Sequence, residues 1–223
     1  MPLVVRTWNL FHGNASPPER RGFLREMVEL VTSDRPDVVC LQELDVWALS
    51  HLERWSGMQV AGAVARRPLL GSAEVGRRLT ELNHGLLRSA FTGEADAILV
   101  AGARRLGEQR TAVVSSHGLR RIAHSVELDG DVVVANFHIA GDRDELARVG
   151  EFVARYERVI LAGDANLVPP YELDGFSAPL AGSIDQILAR GLPATPPERW
   201  PDERRRLEGR LLSDHAPVEL RVG

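Results

Sequence analysis

Lysine is missing altogether: all 27 basic residues are arginine. That absence excludes the P-loop lysine of nucleotide hydrolases, a Schiff base to pyridoxal phosphate and the strand lysine of protein kinases. Cysteine is almost as scarce. The single Cys40 lies in the apolar run VVCLQ, so an internal disulfide and a paired-cysteine zinc site are both excluded, and a buried packing role is expected. Neither HExxH nor GxSxG occurs, which argues against zinc peptidases and nucleophile-elbow hydrolases. No apolar run approaches the roughly 18 residues of a membrane span, and no basic segment leads into an apolar one at the N-terminus. A soluble, unprocessed chain is expected, cytoplasmic by default, with no obligate protein partner indicated. Aromatic residues make up only 5% of the chain, which leaves few rings for stacking on nucleobases.

What is present fits one domain spanning residues 1–223, with 44% hydrophobic and 26% charged residues. A net charge of -4 opposes a bulk electrostatic grip on nucleic acid but leaves room for a local arginine-lined cleft.

Residues 3–8 form a β-prone run ending at Asn9, followed by a loop with Gly13, Pro17 and Pro18. Apolar residues at helical spacing predict a helix over 19–31 that begins near the two prolines. Residues 37–41 read as the next strand and end at Gln42 and Glu43. A helix through Trp47, Leu52 and Trp55 and a short strand near Val60 follow, and the arginine-bearing stretch 72–89 has no settled pattern. Strands are expected at 97–101 and 111–115, separated by a polar turn over 106–110. Asp129-Gly130 between 121–128 and 131–136 is a strong two-residue hairpin signal, delivering Asn136 and His138 at the second strand's end. Residues 142–156 return to helical spacing. They lead into a buried-looking strand over 159–162, which stops at Gly163, Asp164 and Asn166. Asp185 lies in the short run SIDQIL, the charged segment 196–210 reads as a solvated loop, and Asp214 and His215 precede the last strand.

Singly, these polar strand ends have ordinary explanations. Asp164 with Asn166 could be an Asx turn, and Asp214 with His215 a turn before a strand. Collectively Asn9, Glu43, His138, Asp164, Asn166, Asp185, Asp214 and His215 form an oxygen-rich set without a serine or cysteine nucleophile. Such a set suits a hard ion and phosphate-ester hydrolysis.

In order, the motifs TWN, LQE, NFH, GDAN, SID and SDHAP resemble those of the endonuclease/exonuclease/phosphatase superfamily, the DNase I-like metal-dependent phosphoesterases. The resemblance spans most of the chain. It implies an α/β (α+β) fold, a four-layer α/β/β/α sandwich of two mostly antiparallel sheets flanked by helices. It implies Mg2+, with Mn2+ as the alternative, on Glu43 and Asp214 with Asn9. Asp164 would orient or deprotonate the attacking water, Asn166 and His138 would hold phosphoryl oxygens, and Asp185 would hydrogen-bond His215. Asn9 and Arg121 join the substrate contacts, although for Arg121 pairing with a surface carboxylate is the plainer expectation. Asp96 stands where the family often has Asn and either contacts the site or closes a turn. His12, His51, His84, His117 and His124 carry no such support.

The implied substrate is a phosphate ester, nucleic acid among the candidates. His138 stands where abasic-site endonucleases carry tyrosine, and Phe11 where they often have an acid, so DNA repair is disfavoured. The chain is compact for a phosphoinositide or sphingomyelin enzyme. A nuclease-like phosphodiesterase leads; a phosphomonoesterase on a small ester and a catalytically silent binder of the same fold are the alternatives.

Overall fold

The computed structural model describes residues 2–68, 75, 91–115 and 117–223. The stretch 72–89, Val75 apart, lies outside them. The first half comprises β1 (Leu3–Asn9), β2 (Ala15–Ser16), α1 (Leu24–Thr32), β3 (Val38–Leu44), α2 (Leu52–Ser56), β4 (Gln59–Arg66) and β5 (Glu94–Val100). The second comprises β6 (Leu106–Val113), β7 (Ile122–Leu128), β8 (Val132–His138), α3 (Arg143–Val153), β9 (Val159–Asp164), β10 (Asp185–Arg190), β11 (Glu198–Arg199), β12 (Arg206–Leu207), β13 (Arg210–Leu212) and β14 (Val218–Val222).

Two sheets face each other, one of six strands in the order β11-β14-β1-β3-β5-β4 and one of five in the order β10-β9-β8-β7-β6. Among the described residues, only the β1–β3 and β8–β9 pairs in these sheets are parallel. A small third sheet, β12-β13-β2, sits beside them. Leu24, Met27, Val28 and Val31 of α1 recur at helical spacing and pack with Val39, Leu41, Ala97 and Leu99 on the outer face of the first sheet. Leu146, Val149 and Val153 of α3 do the same against Ala135, Phe137 and Leu161 of the second. Asp142 caps α3 by accepting from the Asp144 amide at 2.8 Å, and Asp144 and Glu145 place negative charge in its first turn. Helix, sheet, sheet, helix is therefore the order of layers.

The inward-facing rows explain where the site lies. Along β1 they read Val5, Thr7, Asn9; along β3 Val38, Cys40, Gln42; along β5, from its far end, Val100, Ile98, Asp96, Glu94. On the opposite sheet β8 reads Val132, Val134, Asn136, His138, and β9 reads Ile160, Ala162, Asp164. Each row is apolar at one end and polar at the other, and the register puts the polar ends together. Burying the apolar ends drives the sandwich together, at about 25 cal/mol per Å². The same alternation forces the polar ends to find partners within the gap.

Asp129 and Gly130 both have positive φ (57° and 80°) and the Asp131 amide bonds the Leu128 carbonyl, but the register pairs Leu128 with Val132, so the hairpin loop takes in Asp131 and is one residue longer than the expected two. Cys40 is fully buried. Three other expectations need correction. The first helix starts at Leu24 rather than Glu19, because the Phe23 amide is bonded to the Gly13 carbonyl and its ring is buried in the core. Residues 106–110 belong to strand β6, an edge strand whose outward residues are exposed and can be polar. The segment 196–210 is only partly solvated: it contains β11, a 3-10 turn over Asp202–Arg205 and β12, and Arg205 is buried.

Among the described residues, no helix is long and apolar enough to cross a membrane.

Candidate active site

Asp164 ends β9 in the middle of a rung of polar residues. The register pairs it with His138 on β8 and Asp185 on β10. β9 can lie this close to β8 because residue 163 is glycine: a Cβ there would run into the Phe137 carbonyl. The Asp164 side chain is fully buried. Its Oδ1 accepts from the Asn166 backbone amide at 2.7 Å, an Asx turn, while Oδ2 accepts from Asn9 Nδ2 at 2.9 Å and Asn166 Nδ2 at 3.2 Å. The turn and the site are thus the same structure. Asn166 also donates to the Ile139 carbonyl at 2.9 Å, and its amide nitrogen lies 3.3 Å from His138 Nε2.

Two imidazoles flank Asp164. His215 Nδ1 is 3.0 and 3.1 Å from the two Asp185 oxygens and 3.9 Å from Asp164 Oδ2. Burial works against the charged ring, but the hydrogen bond and charge of Asp185, aided by Asp164 and Asp214, outweigh it and raise its pKa to about 9. Burial, with the charge of Asp164, holds Asp185 above its ordinary range although the hydrogen bond and charge of His215 pull it back. Asp164, Asp185 and His215 also offer ligand atoms within 4.8 Å of one another, a grouping that could hold a metal.

His138 is the other imidazole. Its Nδ1 meets Glu94 Oε1 at 3.1 Å and an Arg121 amino group at 2.9 Å, and its Nε2 lies 3.7 Å from Asp164 Oδ2. Burial opposes its charge, yet the Glu94 hydrogen bond, with Glu43 and Asp164, raises its pKa against the effect of Arg121. Glu94 is the residue that sequence reasoning missed. It is buried, takes Arg121 on Oε1 and Arg66 on Oε2, and is held well below the usual carboxylate range. Arg121 therefore pairs with a buried carboxylate, not a surface one.

Glu43 sits at a register irregularity of β3 between Leu41 and Leu44, with φ 53°. Such a bulge re-aims a side chain that regular pleating would turn outward. Burial opposes its ionisation, but His138, His12 and the Asn9 amide outweigh it and hold the carboxyl below its ordinary range. His12, also given no role by the sequence, is buried between Glu43 and Asp45. Asp214 lies at the rim with its side chain 46% exposed.

The loop carrying Asp214 and His215 is clamped from behind. One Arg205 amino group donates to the carbonyls of Leu212, Ser213 and His215 at 2.8–2.9 Å. Trp8 Nε1 also donates to the His215 carbonyl, and Ser213 Oγ to that of Asn9. Beneath the site, Gln42 Nε2 joins Thr7 Oγ1 and Asn136 Oδ1, and Asn136 Nδ2 donates to Leu41 and Ala97 carbonyls. Asn136 is thus a floor tie between the sheets. Asp96 closes no turn: it is a buried mid-strand acid, without a hydrogen-bond partner among the described residues, and burial pushes it up to about 7. Among the described residues, five of the eight non-glycine residues with positive φ, Phe11, His12, Glu43, Asn166 and Ser213, lie in or beside this cluster. Backbone strain collected in this way is characteristic of functional sites.

Residues 7–215 match the Endonuclease/Exonuclease/phosphatase family. The chain belongs to that family of phosphoester hydrolases. Its fold resembles a functionally unknown conserved protein from Enterococcus faecalis (TM-score 0.74, 16% identity, 99% of each chain covered). It also resembles an endonuclease/exonuclease/phosphatase from Beutenbergia cavernae (TM-score 0.71, 18% identity, 99% of this chain and 71% of that one). A third similar structure is the human Nocturnin catalytic domain with bound sulfate anion (TM-score 0.67, 16% identity, 100% and 93% covered). Among curated protein sequences, none gives a significant match.

Proposed function

We propose that this family member is a divalent-metal-dependent phosphodiesterase of nuclease type, in which water oriented by Asp164 attacks phosphorus in line with the leaving oxygen. The observation that carries this reading is the Asp164 carboxylate, buried at a strand end, fixed by Asn9 and Asn166 and flanked by two carboxylate-tethered imidazoles. Three N–H donors hold the carboxylate oriented. It can receive a proton from a water without moving, which is what a positioned base contributes.

His215 keeps its Nε2–H available at neutral pH because Asp185 holds Nδ1, and it offsets negative charge as it builds on the phosphoryl oxygens. Asn166 and His138 contact the same oxygens. Glu94 fixes the His138 ring, and Arg121 adds positive charge beside it.

The donors present fit a hard divalent cation. Glu43 and the half-exposed Asp214 are carboxylates at the mouth of the site, suited to Mg2+ or Mn2+. Asn9 supports rather than completes that set, since its Oδ1 accepts from the Phe11 amide and its Nδ2 serves Asp164. In the group formed by Asp164, Asp185 and His215 we place a proton rather than an ion, because Nδ1 lies within hydrogen-bond range of Asp185. When bound at Glu43 and Asp214, the ion would polarise the phosphoryl group and neutralise developing charge.

Nucleic acid is the proposed substrate class. Supercoiled plasmid with Mg2+ or Mn2+, with and without chelator, tests it, with an identically prepared Asp164→Ala variant as control. Metal-dependent nicking by the parent and none by the variant is expected. Equal nicking by both, or none by either, refutes the DNA endonuclease reading.

A further inference from the structure

Glu43 lies between two imidazoles. Its Oε2 is 3.6 Å from His12 Nε2, and its Oε1 is 3.6 Å from His138 Nε2. Both separations exceed the 2.7–3.2 Å of an N–H···O bond. They come near the roughly 3–3.5 Å that separates two donor atoms each about 2.1 Å from one ion.

The two rings differ at their other nitrogen. His12 Nδ1 is 3.2 Å from Asp45 Oδ1. Asp45 is itself buried and pinned by Thr92 Oγ1 at 2.6 Å and Trp47 Nε1 at 3.0 Å. A metal-bound histidine usually donates its second ring N–H to a carboxylate in this way, which fixes the tautomer and directs the other nitrogen's lone pair at the ion. His138 Nδ1 instead meets an arginine as well as Glu94, and its Nε2 already faces the Asn166 amide. The His12 backbone adds a second observation: it sits at φ 52°, next to Phe11 at 48°, in a turn held by the Phe11 amide bonding Asn9 Oδ1. That costly conformation places the ring beside Glu43.

We propose that His12 Nε2 is a nitrogen ligand of the metal held at Glu43, so that the centre favours a first-row transition ion over Mg2+. The inference rests on the reading that Glu43 holds the metal. Mg2+ takes oxygen ligands and keeps its waters, whereas imidazole binds transition ions better. Asp45 is the positioning residue that supports the ring.

Metal-free protein given one equivalent of Mn2+, examined by electron spin echo envelope modulation, tests the assignment, because a directly bound imidazole nitrogen produces 14N modulation. We expect modulation in the parent and in His138→Gln and its loss in His12→Gln. Mn2+ dissociation constants from calorimetry should rise about 10–100-fold in His12→Gln, while Mg2+ affinity changes much less. Asp45→Asn keeps the ring and should weaken Mn2+ in the same direction, with near-UV circular dichroism verifying the fold of each variant. Modulation that survives His12→Gln, or none in the parent although Glu43→Gln abolishes Mn2+ binding, overturns the His12 assignment and leaves the Glu43 reading intact. Mn2+ binding unchanged in Glu43→Gln overturns the reading beneath it.

Discussion

Asn9 Nδ2 and Asp164 Oδ2 meet at 2.9 Å across the gap between the two sheets, so the end of β1 orients the end of β9. Replacing Asp164 by Asn keeps the size of the side chain but turns one acceptor into a second donor facing Asn9. We expect kcat for diester hydrolysis to fall on the order of a hundredfold or more, with the variant still folded by circular dichroism.

Arg205 satisfies three carbonyls behind the loop that presents Asp214 and His215. Arg205→Met should cost about 2–5 kcal/mol of stability, since several buried acceptors lose their donor at once. Arg204, exposed and stacked on Trp200, should cost about 1 kcal/mol or less as Arg204→Ala. Urea unfolding of the two variants measures the difference.

His124 gives a pH dependence whose sign is fixed. It is buried on β7, neither ring nitrogen makes a well-formed hydrogen bond among the described residues, and burial pulls its pKa down to about 4 despite the neighbouring Ala61 backbone. The unfolded chain therefore takes up a proton near pH 6.5 that the folded chain refuses until about 4. Stability is unaffected above that window and is lost as pH falls through it, by up to about 3 kcal/mol. Denaturant midpoints from pH 7 to 4 should drop less steeply in His124→Gln than in the parent.

Glu94 carries Arg66, Arg121 and His138 at once. Glu94→Gln should lower kcat on the order of ten- to a hundredfold with a smaller change in KM, because it loosens the orientation of the His138 ring on the phosphoryl oxygens, where charge builds in the transition state, without removing the ring itself. Steady-state kinetics beside Arg66→Ala, which keeps the carboxylate, separates the two effects.

Strands β1, β3, β8 and β9 were readable because each couples an apolar run to a polar end, whereas the exposed edge strand β6 and the short strands β2, β11, β12 and β13 carry no such run. The β7–β8 hairpin was readable because Asp-Gly satisfies two positive φ angles. Helix α3 announced itself by periodicity, whereas α1 was drawn too long because the Phe23 strap is fixed by tertiary contacts that no local pattern encodes. Glu94 escaped notice as a lone acid before an apolar strand; with Asp96, Ile98 and Val100 it forms one alternating row whose change in polarity was the available signal. His12 sits in a turn without periodicity. Nothing in the run Arg204-Arg205-Arg206 distinguishes the buried middle arginine from its exposed neighbours, since only the fold of the His215 loop gives it three carbonyls.

The central claim is a metal-dependent attack on a phosphodiester organised by Asp164. Its most direct measurement is hydrolysis of bis(4-nitrophenyl) phosphate by metal-stripped protein, restored with Mg2+ or Mn2+, in the parent and in Asp164→Asn. The expected result is turnover that appears only with added metal and falls at least a hundredfold in the variant. Turnover that persists in chelator, or is equal in parent and variant, would contradict the account.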